Sequence, residues 1–136
     1  MRIHEPLTAD QLNAMSSLAL AHVGDAVYEL LVRTMLAQSG ELTSGALHKK
    51  TVSYVAAPAQ AKAAERLAPF LTEEERRVYN RGRNSRVHGV PSGCSVAEYH
   101  AATALEALFG HLWLEGKAAR VTELFTIIIR EADHAA

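Results

Sequence analysis

Apolar residues recur every three or four positions along most of this chain, which is the spacing of helices that bury one face. The longest such stretch runs from about Ser17 to Gln38 and ends at Ser39-Gly40. A second long helix is expected from Ser95 to Glu115-Gly116, and a last one from Lys117 to about Ala132. No run alternates with the period of two that a half-exposed strand requires. The pattern therefore predicts an all-α protein.

Capping signals predict where the remaining helices begin. Thr8-Ala-Asp-Gln11 and Thr72-Glu-Glu-Glu75 both have the form of a capping box, and Ser95-Val-Ala-Glu98 repeats it before the second long helix. The acidic residues that follow Thr72 lie in the first turn of the expected helix, where negative charge is stabilised by the positive end of the helix dipole. We expect that helix to run toward Arg83.

The middle of the chain predicts two shorter helices and one loop. A helix after Thr43 or Ser44 holds Leu47-His-Lys-Lys50, and Pro58 favours the start of another that ends near Pro69. Glycine and proline between Asn84 and Ser95 indicate a turn-rich loop. We expect about seven helices in a single domain over residues 1–136.

Composition adds little to this picture. Hydrophobic residues make up 49% of the 136 and aromatic ones 6%, which suits packed helices. The single cysteine, Cys94, excludes an intramolecular disulfide and gives no metal cluster. The start of the chain does not have the form of a signal peptide, and Ile127-Ile-Ile129 is too short to span a bilayer. A soluble cytoplasmic protein with no membrane role is expected.

Asp25 is a candidate functional residue because it lies within an apolar helical run. An ionised carboxylate on such a face is costly to desolvate unless a cation or hydrogen bonds compensate. It is either a structural group, capping a helix or pairing with arginine, or a metal ligand. Gly24 beside it costs about 1 kcal/mol relative to alanine in a helix. A glycine there indicates the close approach of another helix.

Glu106 is the second candidate, since Leu105, Leu108 and Phe109 surround it. It is either a solvated mid-helix glutamate or a ligand. Thr103 lies one turn earlier on the same face, where its hydroxyl could support a metal through water. Two carboxylates on two long helices are what a hard cation requires. Glu29 is better explained by an ion pair with Arg33, and His22 and His100 lack metal-ligand spacing.

Basic residues are segregated into two acid-free segments, 42–64 and 76–97. One charge run is usually a solvated face, but two such segments in a chain of net charge -1 indicate contact with a polyanion. Few aromatics accompany them, so the backbone of a duplex fits better than stacking on single strands. The candidate RNA-binding residues are His48, Lys49, Lys50, Arg81, Arg83, Asn84 and Arg86. Together the features predict a Mg²⁺-dependent phosphodiesterase acting on nucleic acid.

Four segments in order resemble the ribonuclease III family. Residues 20–29, Leu-Ala-His-Val-Gly-Asp-Ala-Val-Tyr-Glu, resemble its signature helix, whose core reads Glu-Phe-Leu-Gly-Asp-Ala. Leu105-Glu-Ala-Leu-Phe-Gly110 is similar to its second acidic motif. Leu47-His-Lys-Lys50 and Arg81-Gly-Arg-Asn84 are more similar to Mini-ribonuclease III, a branch with the catalytic domain alone. The resemblance covers roughly residues 12–132.

The resemblance implies a homodimer of all-α domains in which each of two active sites cuts one strand of double-stranded RNA. Asp25 and Glu106 become catalytic Mg²⁺ ligands. Full-length ribonuclease III has acids where this chain has Ala21 and Thr103, so more of the metal shell must come from water or RNA phosphate.

The implied substrate is the 23S ribosomal RNA precursor, cut to 5′-phosphate and 3′-hydroxyl ends, with a ribosomal protein as a candidate partner. Two alternatives stay open. One is a catalytically inactive domain of this family that binds structured RNA. The other is a helical dimerisation protein with no role in nucleic acid binding.

Overall fold

The structure, a computed structural model, describes residues 1–40, 43–86 and 89–135. Over these ranges the chain is helical and contains no strand, which confirms the all-α prediction. A single 3-10 turn, Ala68–Phe70, follows the fourth helix. The helices are α1 (Ala9–Ala14), α2 (Ser17–Gln38), α3 (Ser44–Val55), α4 (Ala57–Leu67), α5 (Glu73–Arg83), α6 (Val96–Leu114) and α7 (Ala118–Ala135).

Side-chain caps fix where several helices begin. All three predicted capping boxes are present, with Thr8, Thr72 and Ser95 each accepting a hydrogen bond from the backbone N–H three residues later. The partner Gln or Glu side chain accepts in return from the backbone N–H of the cap, so two otherwise unpaired donors are satisfied. These local bonds explain why the helix starts were predictable.

Helix α6 is the centre of the core. Leu105, Leu108 and Phe109 on it are fully buried, because α2, α4 and α5 pack around it. Tyr28 of α2 contacts the rings of Phe109 and Phe125 edge to face, at centroid distances of 5.3 and 5.6 Å. A helix that is apolar on nearly every face can be stable only when it is buried in this way.

Helices α2 and α6 cross at two glycines. A Cβ atom added to Gly24 would overlap with the carbonyl oxygen of Glu106, and one added to Gly110 would overlap with the carbonyl oxygen of Leu20. The predicted close approach at Gly24 is therefore confirmed. The crossing brings the backbone beside Asp25 directly against the backbone of Glu106.

An ion pair between the buried Glu75 and the partly exposed Arg120 joins α5 to α7. The Nε of Arg120 donates to one carboxylate oxygen of Glu75 at 2.8 Å, and its Nη2 donates to the other at 2.9 Å. Nη2 also donates to the carbonyl oxygen of Phe70 at 3.0 Å. The hydrogen bond from Arg120 lowers the pKa of Glu75, and the bond from the Thr72 backbone acts in the same direction against the effect of burial.

Replacing Glu75 with glutamine should lower the free energy of unfolding at neutral pH by about 2 kcal/mol, because Arg120 loses the charged acceptor of its Nε and Nη2 donors and keeps, among the described residues, only Glu123 as an ionised partner. The folded-state pKa of Glu75 is depressed. The contribution of Glu75 to the free energy of unfolding is therefore complete above its unfolded-state pKa of about 4.3. It is lost as the pH falls through the lower pKa of the folded state. Urea unfolding between about pH 3 and 7 should show that the free energy of unfolding falls more steeply with decreasing pH in the wild type than in the variant. Parallel curves would contradict this; Glu74→Gln, at an exposed position, is the control.

No helix among the described residues is both long enough and apolar enough to cross a membrane.

Candidate active site

The α2–α6 crossing brings the two predicted carboxylates together. The Glu106 side chain, half-buried on α6, interacts with the carboxylate of Asp25 on α2. Asp25 itself is exposed, so the prediction that it is embedded among apolar neighbours is wrong for the single chain. The reason is that α2 turns Leu20 and Gly24 toward α6, whereas Leu18, two turns before Asp25 on its side of the helix, is also exposed, at 45%.

Glu106 is held in an environment that disfavours its negative charge. Burial, followed by the hydrogen bond and the charge of Asp25, raises the pKa of Glu106 to about 8. The side chain of Gln60 acts in the opposite direction. A protonated Glu106 can therefore donate to Asp25. A cation bound between the two groups would instead favour both as carboxylates.

Two buried polar side chains lie behind Glu106. Gln60 of α4 and Tyr28 of α2 are each 2% exposed. Burial raises the pKa of Tyr28 above its usual range, against the charge of Arg66, and Glu106 raises it further. Tyr28 therefore keeps its proton at neutral pH and serves the packing of the site. Sequence reasoning missed Gln60, whose one signal was a lone amide on the Ala63–Leu67 face of an alanine-rich helix.

The two positions where ribonuclease III has further acids are both buried. Ala21 lies one turn before Asp25, and Thr103 lies one turn before Glu106. The Thr103 hydroxyl donates to the carbonyl oxygen of Tyr99 at 3.0 Å, so only its lone pairs are left for a further contact. In the described part of the chain no three His, Cys, Asp or Glu side chains group as metal ligands.

The donor set fits a magnesium ion. Two carboxylates supply hard oxygen atoms, one exposed and one half-buried. Mg²⁺ usually keeps several waters and is bound through one or two carboxylates together with substrate phosphate oxygens. Zinc would require nitrogen or sulfur ligands, and calcium would require more oxygen ligands than these two side chains provide.

The predicted RNA-binding residues lie on two other helices. His48, Lys49 and Lys50 occupy exposed positions on α3. Arg83, Asn84 and Arg86 are exposed at the end of α5 and the start of the following loop. His88, a further basic residue of the acid-free segment 76–97, lies outside the described residues.

Arg81 makes a contact that the sequence did not indicate. Its Nη2 donates to the carbonyl oxygen of Met15 at 2.9 Å, which ties α5 to the junction of α1 and α2. This bond gives the Arg81 guanidinium a structural function. The predicted ion pair of Glu29 with Arg33, on α2, is confirmed at 2.8 Å.

Comparison with known proteins identifies the class of this fold. The Ribonuclease III domain family matches residues 18–117. An X-ray structure of a protein from Fusobacterium nucleatum has a TM-score of 0.80 and 31% identity, covering 90% of this chain and 98% of that one. The chain belongs to the ribonuclease III family and is an endoribonuclease.

Similar curated proteins point to one branch of the family. Mini-ribonuclease 3 of Symbiobacterium thermophilum is 44% identical over 91% of each chain. Mini-ribonuclease 3 of a Thermoanaerobacter species is 39% identical over 93% of this chain and 89% of its own. The resemblance to Mini-ribonuclease III seen in the four ordered segments is thereby confirmed.

Proposed function

We propose that residues 1–136 form one catalytic domain that cuts double-stranded RNA in a Mg²⁺-dependent reaction, with Asp25 and Glu106 as the catalytic metal ligands. The observation that carries the proposal is the meeting of these two carboxylates at the α2–α6 crossing. Ribonuclease III enzymes in general depend on a divalent metal and act on double-stranded RNA as dimers. The expected products end in 5′-phosphate and 3′-hydroxyl groups.

Each carboxylate has a distinct part in this mechanism. Asp25, exposed on α2, faces the side from which a duplex can approach, while Glu106 anchors the site from the half-buried side. Bound between them, Mg²⁺ would supply Lewis acidity to the scissile phosphate and lower the pKa of the attacking water. Because Ala21 and Thr103 provide no carboxylate, oxygen atoms of RNA phosphate and water would have to supply the remaining ligands. The Thr103 hydroxyl could contact the metal only through a bridging water.

A homodimer is inferred because ribonuclease III enzymes in general act as dimers. On α2, Leu18 and Leu30 are exposed at 45% and 59%, together with the polar residues His22, Asp25 and Arg33. A second copy packed there would cover them and set two active sites along one valley, with each site cutting one strand.

The direct test is cleavage of a long RNA duplex by the purified protein with Mg²⁺ or with a chelator. Cutting that requires Mg²⁺ and spares the single strand of the same sequence would support the proposal. Binding of the duplex without cutting would favour the alternative, an inactive domain of this family that binds structured RNA. The absence of family acids at Ala21 and Thr103 is the observation that favours that alternative.

We infer that His48, Lys49, Lys50, Arg81, Arg83, Asn84 and Arg86 contact the RNA beyond the cleavage site. Arg83 and Arg86 carry most of the argument, because both are exposed and neighbour the loop that follows α5. Arg81 would contact RNA only with the donors that its bond to Met15 leaves available. Arginine suits phosphate contact because its planar donors can bind two oxygens at once.

Charge reversal of Arg83 and Arg86 to glutamate should weaken duplex binding more than it slows cleavage at saturating RNA. Two lost phosphate contacts should reduce the slope of log affinity against log salt by about two. Filter binding at several salt concentrations and single-turnover cleavage would measure the two effects. Arg130→Glu, exposed on α7, is the matched control. Unchanged affinity and salt slope in the double variant would refute the assignment.

The proposed physiological substrate is the 23S ribosomal RNA precursor, trimmed in the cytoplasm with a ribosomal protein as a candidate partner. Support comes from the resemblance to the Mini-ribonuclease III branch. A defined precursor stem, cut at one position by the purified protein with and without ribosomal proteins, would test both parts. Random cutting that no ribosomal protein redirects would argue against them.

A further inference from the structure

Gln60 is a buried amide without a complete set of partners. Its side chain is 2% exposed, and its Nε2 is buried with no hydrogen-bond partner. A buried donor that lacks a partner is costly, so its presence in a folded protein requires an explanation, of which a role in a functional site is one. Gln60 is therefore a residue that the packing of α4 alone does not explain.

The position of Gln60 directs it toward the candidate active site. It lies on the first turns of α4, on the face that also carries Ala63 and Leu67 and packs against α6. Its side chain lies near the carboxyl group of Glu106 and lowers the pKa of that group, although Nε2 makes no hydrogen bond in the present side-chain arrangement. The amide approaches Glu106 from the protein interior, whereas Asp25 is exposed on α2.

We propose that Gln60 is a positioning residue for Glu106: its Nε2 donates to one oxygen of the ionised carboxylate and leaves the other oxygen free for the cation. This inference rests on the proposed function, in which Glu106 binds Mg²⁺. It would give the otherwise unpartnered Nε2 of Gln60 an acceptor. The Gln60 amide would also help to hold Glu106 in place in a site where Ala21 and Thr103 supply no further carboxylate.

Partners that orient a metal ligand typically change metal affinity or activity by about 10- to 100-fold when they are removed. Gln60→Leu and Gln60→Met remove the donor and keep a side chain of similar size. Both variants should need about tenfold more Mg²⁺ for half-maximal duplex cleavage, with little change in the rate once Mg²⁺ saturates. A merely structural role would not shift this metal dependence.

A second readout avoids catalysis altogether. Mg²⁺ that binds the folded protein raises its melting temperature as its concentration rises. In the absence of RNA, both Gln60 variants should need about tenfold more Mg²⁺ for the same increase in melting temperature. Thr51→Val is the matched control, because it removes a buried hydroxyl that donates to the Leu47 carbonyl oxygen on α3.

The outcomes separate this inference from the function on which it rests. A shift in both Mg²⁺ titrations, with an unchanged melting temperature in chelator, supports the positioning role. Unshifted titrations overturn it, and so does a lower melting temperature in chelator without any shift. If the wild type itself neither cuts the duplex nor responds to Mg²⁺, the proposed function fails first and the inference fails with it.

Discussion

Asp25→Asn should reduce Mg²⁺-dependent cleavage of duplex RNA by at least about a thousandfold, because several kcal/mol of charge stabilisation by a metal correspond to that factor in rate. The substitution keeps the size of the side chain and removes the charge that holds the cation. Asp25 is exposed on α2, so the fold should not depend on it. Single-turnover cleavage at saturating RNA, with 5′-phosphate ends mapped, would measure the loss.

The matched control is Asp133→Asn, an equally small change at an exposed position on α7. This control should cut as fast as the wild type. The Asp25 variant should still bind the duplex, since Arg83 and Arg86 are unchanged. Cleavage at nearly the wild-type rate by Asp25→Asn would mean that the reaction does not depend on this carboxylate, and the proposed metal site would be wrong.

Local signals made most of the fold predictable from the sequence. Capping boxes at Thr8, Thr72 and Ser95 depend on residues three positions apart, so they can be identified without knowledge of the tertiary structure. Gly24 was informative for a related reason, because a glycine within a helix has a cost that only a close contact explains. The pairing of Asp25 with Glu106 followed from two unusual carboxylates on two long helices.

Long-range contacts and exposure were not predictable in the same way. Arg81 bonds to the backbone of Met15, and a backbone acceptor leaves no mark in the sequence. Gln60 meets Glu106 only because α4 packs on α6. The exposure of Asp25 was mispredicted because an apolar run does not show whether its outer face is covered by the same chain or by another copy.

The α2–α6 crossing gives the second large prediction, which concerns both stability and the site. Gly24→Ala should lower the free energy of unfolding by about 3 kcal/mol or more, because overpacking typically costs 1–3 kcal/mol and here the new methyl group meets backbone. The atoms in its way are the carbonyl group of Glu106 and the backbone nitrogen of Gly110, neither of which can rotate aside. Urea unfolding monitored by circular dichroism would measure the loss.

Gly45→Ala is the control that separates steric overlap from helix propensity. Gly45 lies on α3, and nothing lies within 4 Å of the Cβ that it would gain. Alanine there should stabilise the helix by up to about 1 kcal/mol. At Gly24 the same chemical change should separate α2 from α6 and so move Asp25 away from Glu106. Any folded Gly24→Ala protein should therefore need more Mg²⁺ for cleavage than the wild type, whereas equal stability and an unchanged Mg²⁺ requirement would mean that close helix contact does not set the carboxylate geometry.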